Sequence, residues 1–144
     1  MSIEITTLVT NLGKEHIAKT AIYGSSFQVG FYELGTGGVD SVGTILAPDP
    51  TAVALNTPLG DGLKVVTTSD IIGHCPIWTC VIGPGVSGAL SEIGLWAQEV
   101  ATLNSQGKAL TFVPNSYFLY THGTFGEHNI VASETQTAVV NIQF

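Results

Sequence analysis

The sequence predicts a mainly β fold, a β-sandwich or a barrel-like sheet, with an N-terminal α-helix and a short second helical turn. Three observations predict it: short alternating apolar segments fill the chain from residue 63 onward, glycine-rich turns separate them, and one helical pattern precedes them. With 144 residues and no linker or internal repeat, the chain is expected to form one domain over residues 1–144.

The N-terminal helix is predicted over residues 13–22. Thr10 or Asn11 can cap its start, and Gly24 can end it. Its apolar side chains recur at helical spacing and are expected to face the core. They are Ile17, Ala18, Ala21 and Ile22.

The first predicted strand covers residues 27–34 and ends at a glycine-rich turn made of Gly35, Thr36, Gly37 and Gly38. Asp49 followed by Pro50 favours a helix start, so residues 51–55 are expected to form a helical turn. Further strands are predicted at 63–68, 77–82, 90–96, 109–113, 117–125 and 137–144. Gly94 indicates a close approach of another backbone, and residues 104–107 indicate a hairpin turn.

The charge content is low and acidic. Charged residues make up 10% of the chain, against about 25% in typical soluble domains, and eleven carboxylates face four lysines for a net charge of −7. Such a chain has no basic footprint for nucleic acid or for anionic lipid. Neither a signal peptide nor a membrane span is expected. Because interface cores are depleted of charge, the composition favours a subunit covered by neighbours.

The titratable residues give no catalytic pattern. His122, Glu127 and His128 could in principle hold zinc, but their spacing matches no familiar zinc motif, so no metal or other cofactor is expected. Cys75 and Cys80 would point to opposite faces of one strand, which predicts two buried free thiols. No nucleophile elbow or phosphate loop is present, and the protein is expected not to be an enzyme.

Five stretches, in order along the chain, resemble the N-terminal attachment domain of the phage tail-collar fibre family. They are Val9-Thr10-Asn11-Leu12-Gly13 before a helix, residues 31–38 with the strand that ends at the glycine turn, the segment 49–55, Glu92-Ile93-Gly94-Leu95-Trp96, and residues 119–125 followed by the last strand. The resemblance implies a structural protein of a virion tail or baseplate, assembled in the host cytoplasm. Since members commonly continue into a long fibre and this chain ends after its last strand, we expect an adaptor between the baseplate and a separate fibre.

The resemblance implies other tail proteins as partners, namely a baseplate wedge and a tail fibre, and a homo-oligomer within a phage tail or a related contractile apparatus. Contacts are expected near the helix and the glycine turn. The candidate interface residues are His16, Lys19, Gly35, Thr36, Gly37, Gly38 and Trp96. Two alternatives stay open: a carbohydrate-binding β-sandwich that uses exposed aromatic residues such as Trp78 or Trp96, and a small β-rich hydrolase.

Overall fold

The computed structural model describes residues 2–143, in which one curled, barrel-like sheet carries one α-helix. The mainly β prediction is confirmed. The elements are β1 Ser2–Val9, α1 Asn11–Tyr23, β2 Phe27–Gly35, β3 Lys64–Val65, β4 Thr68–Ile72, β5 Cys75–Ile82, β6 Gly88–Leu103, β7 Ala109–Phe112, β8 Phe118–Ile130 and β9 Gln136–Gln143.

The sheet runs in the order β3-β2-β6-β8-β1-β9-β5-β4, and β7 pairs with the end of β6. All pairings are antiparallel except that of β1 with β9, which is parallel and extends from the Ser2–Thr137 pair to the Leu8–Gln143 pair. Strand β1 was not predicted from the sequence. Its position between β8 and β9 joins the two halves of the sheet, so the first residues of the chain are structural.

The two edges of the sheet meet where the chain passes from β3 to β4. Val66 N–H donates to Gly30 O in β2, and Thr67 N–H donates to Thr79 O in β5, both at 2.9 Å. The chain therefore crosses from one edge of the sheet to the other within two residues, which curls the sheet toward closure. The single strand predicted for residues 63–68 is wrong, because this segment is divided between the two edges.

The main core fills the inside of the curled sheet. Leu34, Ile93 and Leu95 are fully buried there, and Trp78 and Tyr120 are nearly so. A hydrogen bond of 2.8 Å from the Tyr32 hydroxyl to Val81 O spans the interior from β2 to β5. Burial raises the pKa of Tyr32 to about 12, so its hydroxyl stays protonated and keeps donating.

A second, smaller layer lies on the outer face of the sheet. Residues 49–57 cover β6 and β8 there, with Ala52 and Leu55 packed against Leu119 and Trp96. The helical turn expected at 51–55 is absent. The Asp49 carboxylate does accept hydrogen bonds from Thr51, as a cap would, but the chain makes only a turn, and the N–H groups of residues 56 and 57 bond to Glu92 instead of to a helix.

Helix α1 begins and ends as the sequence predicts, but the face that packs on the sheet is not the predicted apolar face. Thr10 Oγ1 accepts a hydrogen bond from Gly13 N–H at 2.9 Å, and Gly24 takes the left-handed conformation that ends the helix. Gly13 is the buried helical residue, and a Cβ there would lie 2.6 Å from Tyr120 O. This close approach fixes which face meets the sheet. The expected core stripe of Ile17, Ala18, Ala21 and Ile22 is exposed instead.

Two smaller expectations also change. Gly94 is crowded mainly by side chains, those of Leu119 and Leu55, rather than by another backbone. The cysteines are free, as expected, but only Cys80 is buried; Cys75 lies exposed at the start of β5, beside the turn that joins it to β4. The hairpin turn at residues 104–107 is confirmed between β6 and β7.

Candidate interaction surface

The exposed side of α1 is the most apolar part of the helix, and we call it the helix surface. Its members are Ile17, Ala18, Ala21, Ile22 and Tyr23. Ile22 is 73% exposed and Tyr23 is 78% exposed, so folding of the chain removes little of these two large side chains from water. Exposed apolar clusters of this kind are typical of protein–protein contacts.

Two residues predicted for an interface flank this surface without belonging to it. His16 lies on the inner side of α1, where its ring stacks on Phe118 with centroids 3.7 Å apart. Its Nδ1 is 3.0 Å from Leu12 O, and its Nε2 is 3.2 Å from Glu99 Oε1. His16 therefore attaches the helix to the sheet. Lys19 is half exposed and forms an ion pair of 3.5 Å with Glu15 one turn earlier.

A buried carboxylate–imidazole pair lies on the outer face of the sheet. Glu92 in β6 and His122 in β8 are both 0% exposed, and Glu92 Oε2 lies 2.6 Å from His122 Nε2. His122 Nδ1 accepts a hydrogen bond of 2.9 Å from Asp49 N–H. That nitrogen therefore carries no proton, and the ring is the neutral tautomer that donates its Nε2–H to Glu92.

The Glu92 carboxylate also accepts two main-chain hydrogen bonds, from Asn56 N–H at 2.7 Å and Thr57 N–H at 3.1 Å. Burial by itself would raise the pKa of Glu92. The hydrogen bonds from His122, Asn56 and Thr57 outweigh that effect and hold the pKa below its usual value. The carboxylate is ionised and fully partnered.

This pair holds the outer layer in place, and neither side chain is exposed to solvent. The two side chains bond to each other, and their other polar atoms accept hydrogen bonds from the N–H groups of residues 49, 56 and 57. Sequence reasoning missed Glu92 as a site residue. A signal was present, since a Glu inside the apolar run of β6 must find partners if that strand is central.

The glycine turn predicted as an interface packs against Glu92 and the neighbouring Ser91. Gly35 and Gly38 are buried, while Thr36 and Gly37 are partly buried. A Cβ at Gly37 would lie 2.9 Å from Glu92 Oε1, and a Cβ at Gly38 would overlap the main chain of Ser91. Close internal packing therefore accounts for these glycines.

Trp96 is also partly buried, over Leu55 and Leu119, and its indole N–H donates to Glu33 Oε1 at 3.1 Å. Trp78, which the carbohydrate alternative needs on the surface, is 8% exposed and packs edge-on against Tyr120. Both tryptophans thus use most of their surface inside the fold.

The remaining titratable residues do not converge. Within residues 2–143, no group of three His, Cys, Asp or Glu side chains is placed to hold a metal ion. His122, considered from its sequence position as a ligand beside Glu127 and His128, points to Glu92 instead. Burial raises the pKa of the Cys80 thiol to about 12, so it stays protonated at neutral pH. No helix of the described chain has the length and apolarity needed to cross a bilayer.

Comparisons with protein-family models, with curated proteins and with solved structures found no match to this chain. The resemblance to the tail-collar fibre family therefore stays a prediction carried by the five stretches of sequence named above.

Proposed function

We propose that this protein is a structural, non-enzymatic subunit of a bacteriophage tail, an adaptor that connects the baseplate to a separate fibre. The observation that carries the proposal is the helix surface. Gly13 and His16 attach the inner side of the helix to the sheet, and the apolar side faces solvent. An exposed apolar side of this kind is typical of a helix that another chain covers.

The low charge content supports the same proposal. Four lysines and eleven carboxylates leave much of the molecule without solvated ions. Exposed apolar residues are also found away from the helix surface, notably Ile71 and Ile72 in β4, which are 73% and 61% exposed. A subunit enclosed by neighbours would bury such residues, and depletion of charge is characteristic of interface cores.

The family resemblance points to the kind of assembly. Four of the five stretches that carry it meet around the buried pair. Glu92 comes from one and His122 from another, the glycine turn packs against Glu92, and Asp49 of the segment 49–55 donates its N–H to His122. These motifs thus have a common structural role, in fixing the outer layer on the sheet. This is the pattern expected of a domain whose shape, rather than a reactive group, is its function.

Replacement of Ile22 by Lys tests the proposal. A lysine in the last turn of a helix is compatible with the helix dipole, so the variant should fold. Val42→Lys is the matched control. Val42 is 82% exposed in the loop after β2, so this substitution adds the same charge outside the helix surface.

The coding sequence of this chain would be deleted from the phage or prophage that carries it, and each variant would then be supplied in trans. We expect Val42→Lys to restore infectious particles and to be incorporated like the unaltered chain. Ile22→Lys should give a folded protein by circular dichroism that is lost from particles at least tenfold. Equal incorporation of both variants, or full infectivity without the chain, would overturn the proposal.

A further inference from the structure

The two edges of the sheet diverge on one side of the crossing at residues 66 and 67 and leave a slot between β2 and β4. Inside the barrel, this slot opens into a cavity of about 330 Å³ whose wall includes Val29, Ser69 and Trp78. On the outer side, a second cavity of about 250 Å³ is bounded by the same Val29 and Ser69, together with Gln98 and Phe112. The slot is therefore open on both faces of the sheet.

The β2 rim of the slot has unpaired main-chain groups. Ser26 O accepts a hydrogen bond from Val100 N–H, and Gln28 pairs with Gln98, so these residues direct their main chain toward β6. The register is regular from Phe27 to Val29 and shifts only after Val29. The alternation of an antiparallel pair therefore directs the N–H and C=O groups of Phe27, and the N–H group of Val29, away from β6. In the described part of the chain, β3 pairs only with Phe31 and Tyr32 and does not reach them.

The β4 rim is likewise open. β4 pairs with β5 on one side, from the Thr68–Thr79 pair to the Ile72–Cys75 pair at the hairpin turn. Ile71 lies opposite Pro76, which has no N–H, so Ile71 and, two residues before it, Ser69 belong to the pairs that are not hydrogen-bonded. The main chain of Ser69 therefore points away from β5, toward the slot. All five residues of β4 are exposed, which is an unusual condition for a strand next to an aromatic core.

The floor of the slot is apolar and aromatic. The side chains of Phe27, Trp78 and Tyr120 meet there, with ring centroids 5.3 Å apart for Phe27 and Tyr120 and 6.3 Å apart for Trp78 and Tyr120. Pro76 completes the wall. An occupant must therefore offer hydrogen-bond donors and acceptors along both sides and apolar groups between them.

We propose that this slot binds an extended segment of another polypeptide, which adds a strand between β2 and β4 and places alternate apolar side chains against Phe27, Trp78 and Tyr120. Strand addition to an open sheet edge is a recurrent mode of peptide recognition, in which main-chain hydrogen bonds give affinity and side-chain pockets give specificity. The net charge of −7, with Asp70 exposed beside the rim, favours a neutral or basic segment.

A second copy of this chain is a poorer occupant. Each of its nine strands is already paired in its own sheet, so within residues 2–143 it has no spare strand to donate. The inference does not rest on a role in a phage tail, since it uses only the open edges and the aromatic floor.

Selection from a library of random decapeptides displayed on their encoding RNA, with the purified chain as bait, tests the inference even though the natural partner is unidentified. Enriched peptides should have apolar residues at alternate positions and few acidic ones. A synthetic copy of an enriched peptide should slow hydrogen exchange at the amides of Phe27, Val29 and Ser69, and this measurement needs no variant.

Ser69→Pro then removes the donor on the β4 rim without removing a hydrogen bond to β5. Ser105→Pro is the matched control, in the exposed turn between β6 and β7, where proline suits the second position of the turn. We expect Ser69→Pro to weaken peptide binding at least tenfold and Ser105→Pro to leave it unchanged.

Three outcomes would overturn the inference. They are the absence of any enriched peptide, enrichment of peptides that protect amides elsewhere, such as those of α1, and protection of the slot by sugars or other small molecules but not by peptides.

Discussion

At the scale of single residues, Glu92 is the most consequential side chain of the chain. It is a carboxylate with no exposure that is nevertheless stabilised, because three N–H groups donate to its two oxygens. Removal of one partner from such an arrangement is costly, since the remaining donors stay buried without an acceptor.

Glu92→Gln tests this interpretation. The amide of glutamine has one acceptor oxygen, so its NH₂ group must face at least one of the three donors. We expect the free energy of unfolding to fall by about 2–4 kcal/mol, measured by urea denaturation at pH 7. Glu127→Gln, on the exposed part of β8, is the control and should change the free energy of unfolding by less than about 0.5 kcal/mol. A Glu92→Gln protein as stable as the control would contradict the assignment.

The pH dependence follows from the lowered pKa of Glu92. A carboxyl group with a lower pKa in the folded chain than in the unfolded chain stabilises the fold fully above its unfolded pKa, about 4.3, and loses this contribution as the pH falls through the folded value. The stability difference between the unaltered chain and Glu92→Gln should therefore be constant from pH 7 to about 5 and should shrink below about pH 4. Urea midpoints at stepped pH values measure it, and a difference that grows toward low pH would show the opposite sign.

At the scale of elements, helix α1 depends on its N-terminus more than on its apolar residues. Thr10 Oγ1 caps the helix through Gly13 N–H and also donates to Leu119 O at 2.7 Å, so one buried hydroxyl joins the helix to β8. Leu12, next to the cap, packs against the core, whereas the apolar residues of the helix surface contribute little to folding because they face solvent. The element is thus fixed at one end and along one narrow side.

Thr10→Ala should lower the free energy of unfolding by about 1–2 kcal/mol, since it removes both the cap and the bond to Leu119. Thr20→Ala is the matched control, because Thr20 Oγ1 bonds only to His16 O at an exposed site on the same helix. We expect its effect to stay within about 0.5 kcal/mol. Equal effects of the two substitutions, by thermal or urea denaturation, would show that the cap is not the attachment point.

The elements also show what local sequence can and cannot predict. The helix, its cap and its end were predictable because Thr10 and Gly24 act on their own neighbours. The buried side of the helix was not, because the decisive contact is between Gly13 and Tyr120, which are far apart in sequence. The same reason applies to the helical turn expected at residues 51–55. The N–H groups of the next two residues, Asn56 and Thr57, bond to Glu92 in a distant strand instead of continuing a helix.

At the scale of the whole molecule, the alternating patterns predicted the β class but not the path of the sheet. The parallel pairing of β1 with β9 and the crossing at residues 66 and 67 depend on contacts between segments far apart in the chain. The sequence identified some of the residues that matter, but it did not give their roles. The glycine turn and Trp96 have close packing roles, whereas Glu92 and the slot between β2 and β4 follow only from the assembled sheet.

The same scale gives the reason to expect an assembly. The core inside the curled sheet buries its large apolar side chains, whereas the helix surface and β4 leave theirs in solvent. Such surfaces make a monomer prone to aggregation, and they are removed from solvent when neighbouring chains cover them. We therefore expect the described fold to be one part of a larger particle.

Protein counting by quantitative mass spectrometry of virus particles purified from a strain that produces this chain tests that claim most directly. We predict that the chain is present in the tail fraction at a fixed copy number relative to the baseplate proteins. Particles that lack the chain, while the same lysate holds it as a free monomer, would contradict the assignment to a tail assembly.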